Sequence, residues 1–312
     1  MDAIEVSHLT KKFGDFTAVN DVSFTVKQGE IFGFLGANGA GKSATIRMLC
    51  GLLQSTSGAA TVGGYDINTQ TEKVKLNIGY MSQRFSLYDD LTVEQNIRFF
   101  GGVYGLRNNE LNERLAWVLL MADLRGRENS LTKTLSGGLK QRLALGCAIL
   151  HRPKIVFLDE PTGGVDPISR RNFWELINLL SYEGVTVLVT THFLDEAEYC
   201  NDIILINAGK LIANGSPVEL KTTYIKNPIL EVASDNVVEA LETIREKPWA
   251  LSTSVFWTTL HVMVQEEKQG KQLSTQTLKE KGIPVRHIER IVPSLEDVFL
   301  YLLEQDAVGK AN

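Results

Sequence analysis

The chain has 312 residues, 44% of them hydrophobic and 22% charged, with a formal net charge of −5. That length holds two domains of ordinary size with a soluble globular composition, and the acidic balance gives a nucleic-acid partner no electrostatic support. No stretch reaches the roughly 18 to 20 uninterrupted apolar residues of a membrane span, and the polar start MDAIEVSHLTKKFGD has no signal-peptide core, so the expectation is a cytoplasmic chain that is not itself a channel.

AIEVSHL and VSFTV alternate apolar with polar residues and predict two strands, punctuated by GDF and by Gln28-Gly29. EIFGFLG reads as a short, fully buried strand. After it, Ile46, Leu49, Cys50 and Leu53 recur at helical spacing. GAATVGGYDI predicts a short β pair and NIGYMSQ a strand. From Thr92 the period turns helical, in VEQNIRFFGGVYGL and LNERLAWVLLMADL, which predicts a helical insert over about residues 90–153. KIVFLDE and VTVLVTTH are two more buried strands around the helix SRRNFWELINLLSYEG, and strands alternating with helices argue for an α/β fold with a mainly parallel sheet. IILINAGKLIANG predicts a hairpin at Ala208-Gly209, and PVELKTTY a short helix.

Beyond Asn227-Pro228 the texture changes. ILEVAS, a helix over 237–246, LSTSVFW, TLHVMVQ, a helix near 273–281 and VRHIERIV give the order βαββαβ of a small α+β ferredoxin-like unit. SLEDVFLYLLEQ closes as an amphipathic helix capped by Ser294, with Leu295, Val298, Phe299 and Leu302 as a docking face. Domains are expected over 1–226 and 227–312.

The stretch GANGAGKS, residues 36–43, has the spacing G-x-x-x-x-G-K-S, filled by Gly36, Gly41, Lys42 and Ser43. Glycines let the backbone of Gly36, Ala37, Asn38, Gly39, Ala40 and Gly41 turn its N–H groups toward a polyphosphate. The helix opening at Lys42, Ser43, Ala44 and Thr45 aims its positive dipole end at the same anion. Lys42 would reach the β- and γ-phosphates, and the Ser43 hydroxyl would complete the shell of a Mg²⁺. A ligand-free glycine turn is the alternative, and it leaves the Lys-Ser pair unexplained. IVFLDEP ends a strand in two acids expected on opposite sides: Asp159 holds Mg²⁺ through water, and Glu160 polarises the attacking water. Ser136 caps a helix whose first turn holds Gly137 and Gly138, a second anion site. Three scattered cysteines, Cys50, Cys147 and Cys200, read as reduced thiols, and the five histidines show no metal-ligand spacing.

LSGGLKQR, lying between the phosphate loop and the carboxylate strand, closely resembles the signature motif of the ATP-binding cassette family. The resemblance covers about residues 3–225 and implies a P-loop NTPase core, a RecA-like parallel sheet with an antiparallel β subdomain. It also implies that Ser136, Gly137 and Gly138 of one subunit cover the γ-phosphate held by the loop of the opposite subunit. Gln83 resembles the glutamine that touches metal or water, and Asp166 in GGVDP the loop aspartate that faces the partner. His192 resembles the switch histidine on the γ-phosphate, and Phe13 the aromatic that stacks on adenine. Ala37 replaces the usual Pro at little cost. Ala44 replaces a Thr whose hydroxyl assists the α-phosphate, which points to weaker affinity. Leu139 stands where many members have Gln.

THFLDEAEYCN and SLEDVFLYLLE narrow the resemblance to bacterial exporter ATPases of the drug-resistance type. The implied partners are integral membrane permease subunits and a second ATPase copy or homologue, at the cytoplasmic face of the inner membrane, with no nucleic acid. Phe85, Leu87, Tyr88, Phe99, Phe100 and Tyr104 are the candidate seat for a permease's coupling helix. A cassette ATPase acting on DNA or ribosomes is a second class, but neither a long coiled coil between loop and signature nor a second cassette is present. A nucleotide switch without transport is a third.

Overall fold

The structure is a computed structural model and describes residues 2–83 and 86–311. The chain divides into two compact units, Met1–Ser216 and Pro217–Asn312.

The first unit opens with β1 (Asp2–Phe13) and β2 (Phe16–Lys27), antiparallel neighbours, then β3 (Ile31–Leu35) and helix α1 (Lys42–Leu49). β4 (Ser57–Val62) and β5 (Tyr65–Asp66) complete an antiparallel sheet of order β2-β1-β4-β5. Its strands bury alternate residues: Val22, Phe24 and Val26 of β2 turn inward while their neighbours face out. After α2 (Thr71–Asn77) and β6 (Ile78–Met81) come the insert helices α3 (Val93–Val103), α4 (Asn108–Met121) and α5 (Gly137–Ala148). β7 (Ile155–Asp159), α6 (Pro167–Tyr182), β8 (Thr186–Thr191), β9 (Asp202–Asn207) and β10 (Lys210–Gly215) finish the unit.

The second sheet has the order β10-β9-β3-β8-β7-β6, parallel throughout except for edge strand β10. β3, β7 and β8 are buried at every position, which is why they read as largely apolar runs without alternation. The β9–β10 turn is Ala208-Gly209, both left-handed at φ 46° and 78°, the backbone of a two-residue hairpin. Phe24 stacks on Phe32 at 5.5 Å between centroids, in a core joining both sheets to Ile46 and Leu49 of α1. The insert has its own core, where Val93 and Ile97 of α3 meet Leu115 and Val118 of α4 and Leu143 of α5.

The second unit opens with α7 (Pro217–Tyr224), so PVELKTTY belongs to the C-terminal unit and the division falls earlier than residue 226. Next come β11 (Ile229–Ser234), α8 (Val237–Arg245), β12 (Ala250–Phe256), β13 (Thr259–Val264), α9 (Glu267–Glu280), β14 (Val285–Ile291) and α10 (Leu295–Ala311). The strands form an antiparallel sheet of order β12-β13-β11-β14, the ferredoxin-like arrangement of a βαββαβ chain. Leu230, Val232, Leu260 and Val262 pack with Ala240 and Ile244 of α8 and Leu278 of α9 on one face.

Two expectations change here. α9 begins at Glu267, not near residue 273, because Glu266 caps it through the amides of Lys268 and Gln269. Gly270 then lets the helix approach β13 so closely that a Cβ would lie 2.7 Å from Val264 Cγ2. Leu295 and Val298 of α10 are buried, so they are not a free docking face; the Ser294 cap is present, its Oγ accepting from Asp297 N at 3.1 Å.

Candidate active site

The phosphate loop lies between the end of β3 and the start of α1. A side chain at Gly36 would set its Cβ 2.4 Å from the Ile206 carbonyl, and one at Gly41 would reach 2.5 Å from that of Ala18. Gly41 is also left-handed, at φ 108°, and caps α1 without any side-chain acceptor, so the first amides of the helix are left to an anion. This is a cradle that a Cβ would fill. The adjoining cavity, of about 340 Å³, is lined by Ala18, Asn38, Gly39, Gly41, Lys42, Ser43, Ala44, Gln83 and Glu160. Its size is that of a small-molecule site.

Lys42 is buried, and its ammonium donates to the carbonyls of Gly36 at 2.7 Å and Ala37 at 3.2 Å. It also lies 3.3 Å from Glu160 Oε1. Ser43 Oγ donates to Asp159 Oδ1 at 3.0 Å. The hydroxyl and carboxylate are a hard oxygen pair that fits Mg²⁺. Thr45 spends its hydroxyl on the Gly41 carbonyl at 3.0 Å. Ala37 and Ala40 shape the turn through the 3.1 Å bond from Ala40 N to the Ala37 carbonyl.

Asp159 and Glu160 do not diverge across one strand as expected. β7 ends at Asp159, and Glu160 is left-handed at φ 47°, a conformation that costs a non-glycine residue on the order of 1 kcal/mol. The turn brings both carboxylates to the loop, Asp159 at Ser43 and Glu160 at Lys42. Gln83 Nε2 donates to Glu160 Oε2 at 3.0 Å, and His192 Nδ1 stands 3.5 Å from the same oxygen. The loop, both acids, Gln83 and His192 thus form one constellation.

Ser136, Gly137, Gly138 and Asp166 stand apart from that cavity lining. Ser136 caps α5 by accepting from Leu139 N at 3.4 Å, and Asp166 caps α6 by accepting from Ser169 N at 2.9 Å. That bond holds the Asp166 carboxyl below its usual range. The two helix starts touch: a Cβ on Gly138 would lie 2.4 Å from Ser169 Oγ. Ser136 and Gly137 are exposed. Phe13 is 50% exposed at the end of β1 with the Lys11 ammonium 5.0 Å from its ring, so it is no core residue. It does not line the cavity.

Two residues missed in the sequence hold this site together. Thr190 Oγ1 donates to Asp159 Oδ1 at 2.8 Å and accepts from Glu160 N at 2.9 Å. Its signal was a polar residue inside a buried apolar strand. Gln141, fully buried on α5, donates to the Pro161 carbonyl at 2.7 Å and ties the signature helix to the segment after Glu160. Thr190→Val is expected to destabilise the chain by about 1–3 kcal/mol, because Asp159 and the Glu160 amide each lose a buried partner. Urea unfolding measures this; a change under about 0.5 kcal/mol would mean the hydroxyl is dispensable.

All three cysteines are buried, with thiols raised well above their usual range by desolvation. Of the aromatic seat, Tyr88 and Phe99 are exposed and meet edge to face at 4.8 Å, while Leu87, Phe100 and Tyr104 pack against the insert core. Phe85 lies outside the described residues. Among the described residues no helix is long and apolar enough to cross a membrane.

Comparison with known proteins points to one family. The profile described as ABC transporter matches residues 19–163. A linearmycin resistance ATP-binding protein of Bacillus subtilis (strain 168) is 35% identical over 303 residues, covering 96% of this chain and 97% of that protein. A probable multidrug ABC transporter ATP-binding protein of Escherichia coli (strain K12) is 56% identical over 218 residues, 70% of this chain. The match spans only 38% of that relative's length. Among solved structures, the ATP binding subunit of an ABC transporter superposes with a TM-score of 0.65 at 31% identity, over 71% of this chain and 93% of that one.

Proposed function

The chain belongs to the ABC transporter family, and from that premise we propose that it is the ATP-hydrolysing subunit of an exporter whose membrane-spanning subunits are separate chains. The observation that carries the reading is the convergence of Lys42, Ser43, Asp159, Glu160, Gln83 and His192 on one loop, while the exposed Ser136 cap stays out of that lining. One copy therefore owns two incomplete halves. Two copies, or this chain and a homologue, sandwich two ATP molecules, the Ser136–Gly138 helix start of each covering the γ-phosphate on the other.

Within each half, the loop amides and Lys42 hold the phosphates, and Phe13 offers a face for adenine. Ser43 and Asp159, with Gln83 beside them, hold Mg²⁺. The ion, when bound, neutralises charge on the transferred phosphoryl group. Glu160 orients the attacking water and accepts its proton, while Gln83 and His192 fix the carboxylate's position. Asp166 faces the partner across the interface. Closure of the sandwich pushes on the membrane subunits, with the exposed ring pair Tyr88 and Phe99 in the seat of their coupling helix, at the cytoplasmic face of the inner membrane. Relatives named for drug resistance and export favour an exported cargo. The second unit, free of phosphate-loop residues, braces or regulates the dimer.

Phosphate release by the purified chain with ATP and Mg²⁺, alongside identification of the membrane proteins that co-purify with it from detergent-solubilised cells, tests the proposal. Absence of nucleotide binding would end it. Hydrolysis with full biological activity in cells lacking any membrane partner would favour a regulatory switch.

A further inference from the structure

The sheet face of the second unit opposite α8 and α9 carries chemistry that nucleotide handling does not use. Glu231 stands on β11, with His261 of β13 and Glu289 of β14 as its direct cross-strand neighbours. His287, two residues before Glu289, lies on the same face. One ligand atom from each of Glu231, His287 and Glu289 falls within 4.8 Å of the others. His287 Nε2 is 3.4 Å from Glu231 Oε1 and 3.7 Å from Glu289 Oε1. Ligands about 2.0–2.2 Å from one ion at tetrahedral angles stand roughly 3.3–3.6 Å apart, so these separations already approach the edges of a coordination polyhedron.

The buried His261 is prepared for the same role. Its Nδ1 lies 2.8 Å from Asp297 Oδ1, and the other Asp297 oxygen accepts from Ser294 N at 2.8 Å and Ser294 Oγ at 2.7 Å. With Asp297 acting as an acceptor, the imidazole proton sits on Nδ1 and the lone pair on Nε2. Nε2 faces Glu231 Oε2 at 3.8 Å, beyond hydrogen-bonding distance, and Phe256 stacks on the ring at 4.0 Å and 10°. A carboxylate behind an imidazole whose other nitrogen faces a further ligand, here Glu231, is how metal-bound histidines are oriented; His261 lies outside the trio of Glu231, His287 and Glu289 and would close on the ion from Glu231's side. Among the described residues, the ion pairs of Glu231 and Glu289 are with histidines alone, and Thr259 Oγ1 donates to Glu231 Oε2 at 3.2 Å.

We infer that Glu231, His261, His287 and Glu289 bind one first-row divalent transition ion of the Zn²⁺ class, with Asp297 as the positioning residue for His261. Mixed imidazole and carboxylate ligands select that class over Mg²⁺ and Ca²⁺, which favour all-oxygen shells. Bound there, the ion ties β11, β13 and β14 to the first turn of α10. The half-exposed His287 and the exposed Glu289 form its entrance.

The test uses the purified full chain, stripped with chelator and free of nucleotide, titrated with ZnCl₂ by calorimetry and with CoCl₂ by visible absorption. The inference predicts one equivalent, a cobalt spectrum without thiolate charge-transfer bands, and a raised unfolding temperature. His287→Ala and Glu231→Gln should each weaken binding at least ~10-fold, and Asp297→Asn by about 10- to 100-fold. His8→Ala, in the first unit, should change nothing. Circular dichroism and fluorescent-ATP binding should stay unchanged in the His287 variant, which separates this claim from the ATPase reading. No bound equivalent, thiolate bands, or equal affinity in the His287 and Glu231 variants would overturn it and leave a histidine–carboxylate network only.

Discussion

Glu160→Gln is expected to bind ATP and fail to cleave it, with turnover lower on the order of 10²–10⁴-fold, the range a positioned general base contributes. The carboxylate accepts from Gln83 at 3.0 Å, lies 3.3 Å from the Lys42 ammonium and has His192 3.5 Å away. Three groups that can donate surround one acceptor, which leaves the charge fixed in place and its remaining lone pairs for water. An amide of the same shape keeps the packing. It offers a single acceptor oxygen and no negative charge, so it neither draws the proton from water nor competes with phosphate for Lys42. Single-turnover cleavage with equilibrium ATP binding on the same sample measures both halves of the claim. Near-normal cleavage would remove Glu160 from the reaction.

Lys42→Ala is expected to lose detectable turnover and to bind ATP about 10- to 100-fold more weakly, the loss of charge-assisted bonds of roughly 1.5–3 kcal/mol. The ammonium is buried and already held by two loop carbonyls, so it is preorganised where phosphate oxygens would take over its bonds. Its removal also leaves Glu160 without the cation 3.3 Å away. Fluorescent-nucleotide titration checks the affinity, with circular dichroism as the folding control. Unchanged ATP binding would contradict the placement of the phosphates.

In the second unit, a chain ended at Ser216 should keep nucleotide affinity and lose ATP-dependent dimer strength. Collapse of affinity in a folded truncation would make the second unit part of the ATP site.

The parts legible in the sequence are those set by local chemistry. Strand, glycine loop and helix are consecutive around residues 36–43, and the βαββαβ order comes from short-range patterns and turn residues. What escaped depends on distant contacts. EKQGKQ offers no apolar period, so the start of α9 shows only once Glu266 caps it and Gly270 meets Val264. The short polar α7 gives no hint that it packs with α10, which moved the unit boundary. The left-handed turn at Glu160 reverses the simple alternation of a strand and is held by Thr190, thirty residues on. Cross-strand pairing of Glu231 with His261 and Glu289 is likewise invisible to spacing along the chain.

The composite site is the central claim, and the mass of Glu160→Gln in ATP and Mg²⁺ tests it most directly when compared with Glu160→Gln/Ser136→Arg. Light scattering after size-exclusion chromatography should show the 34.6 kDa chain doubling its mass only with ATP. Adding Ser136→Arg should return it to a monomer that still binds fluorescent ATP, because in the proposed composite site the exposed cap of α5 would act on the other copy's nucleotide. A double variant that dimerises as well as the single one, or a dimer indifferent to ATP, would contradict the account.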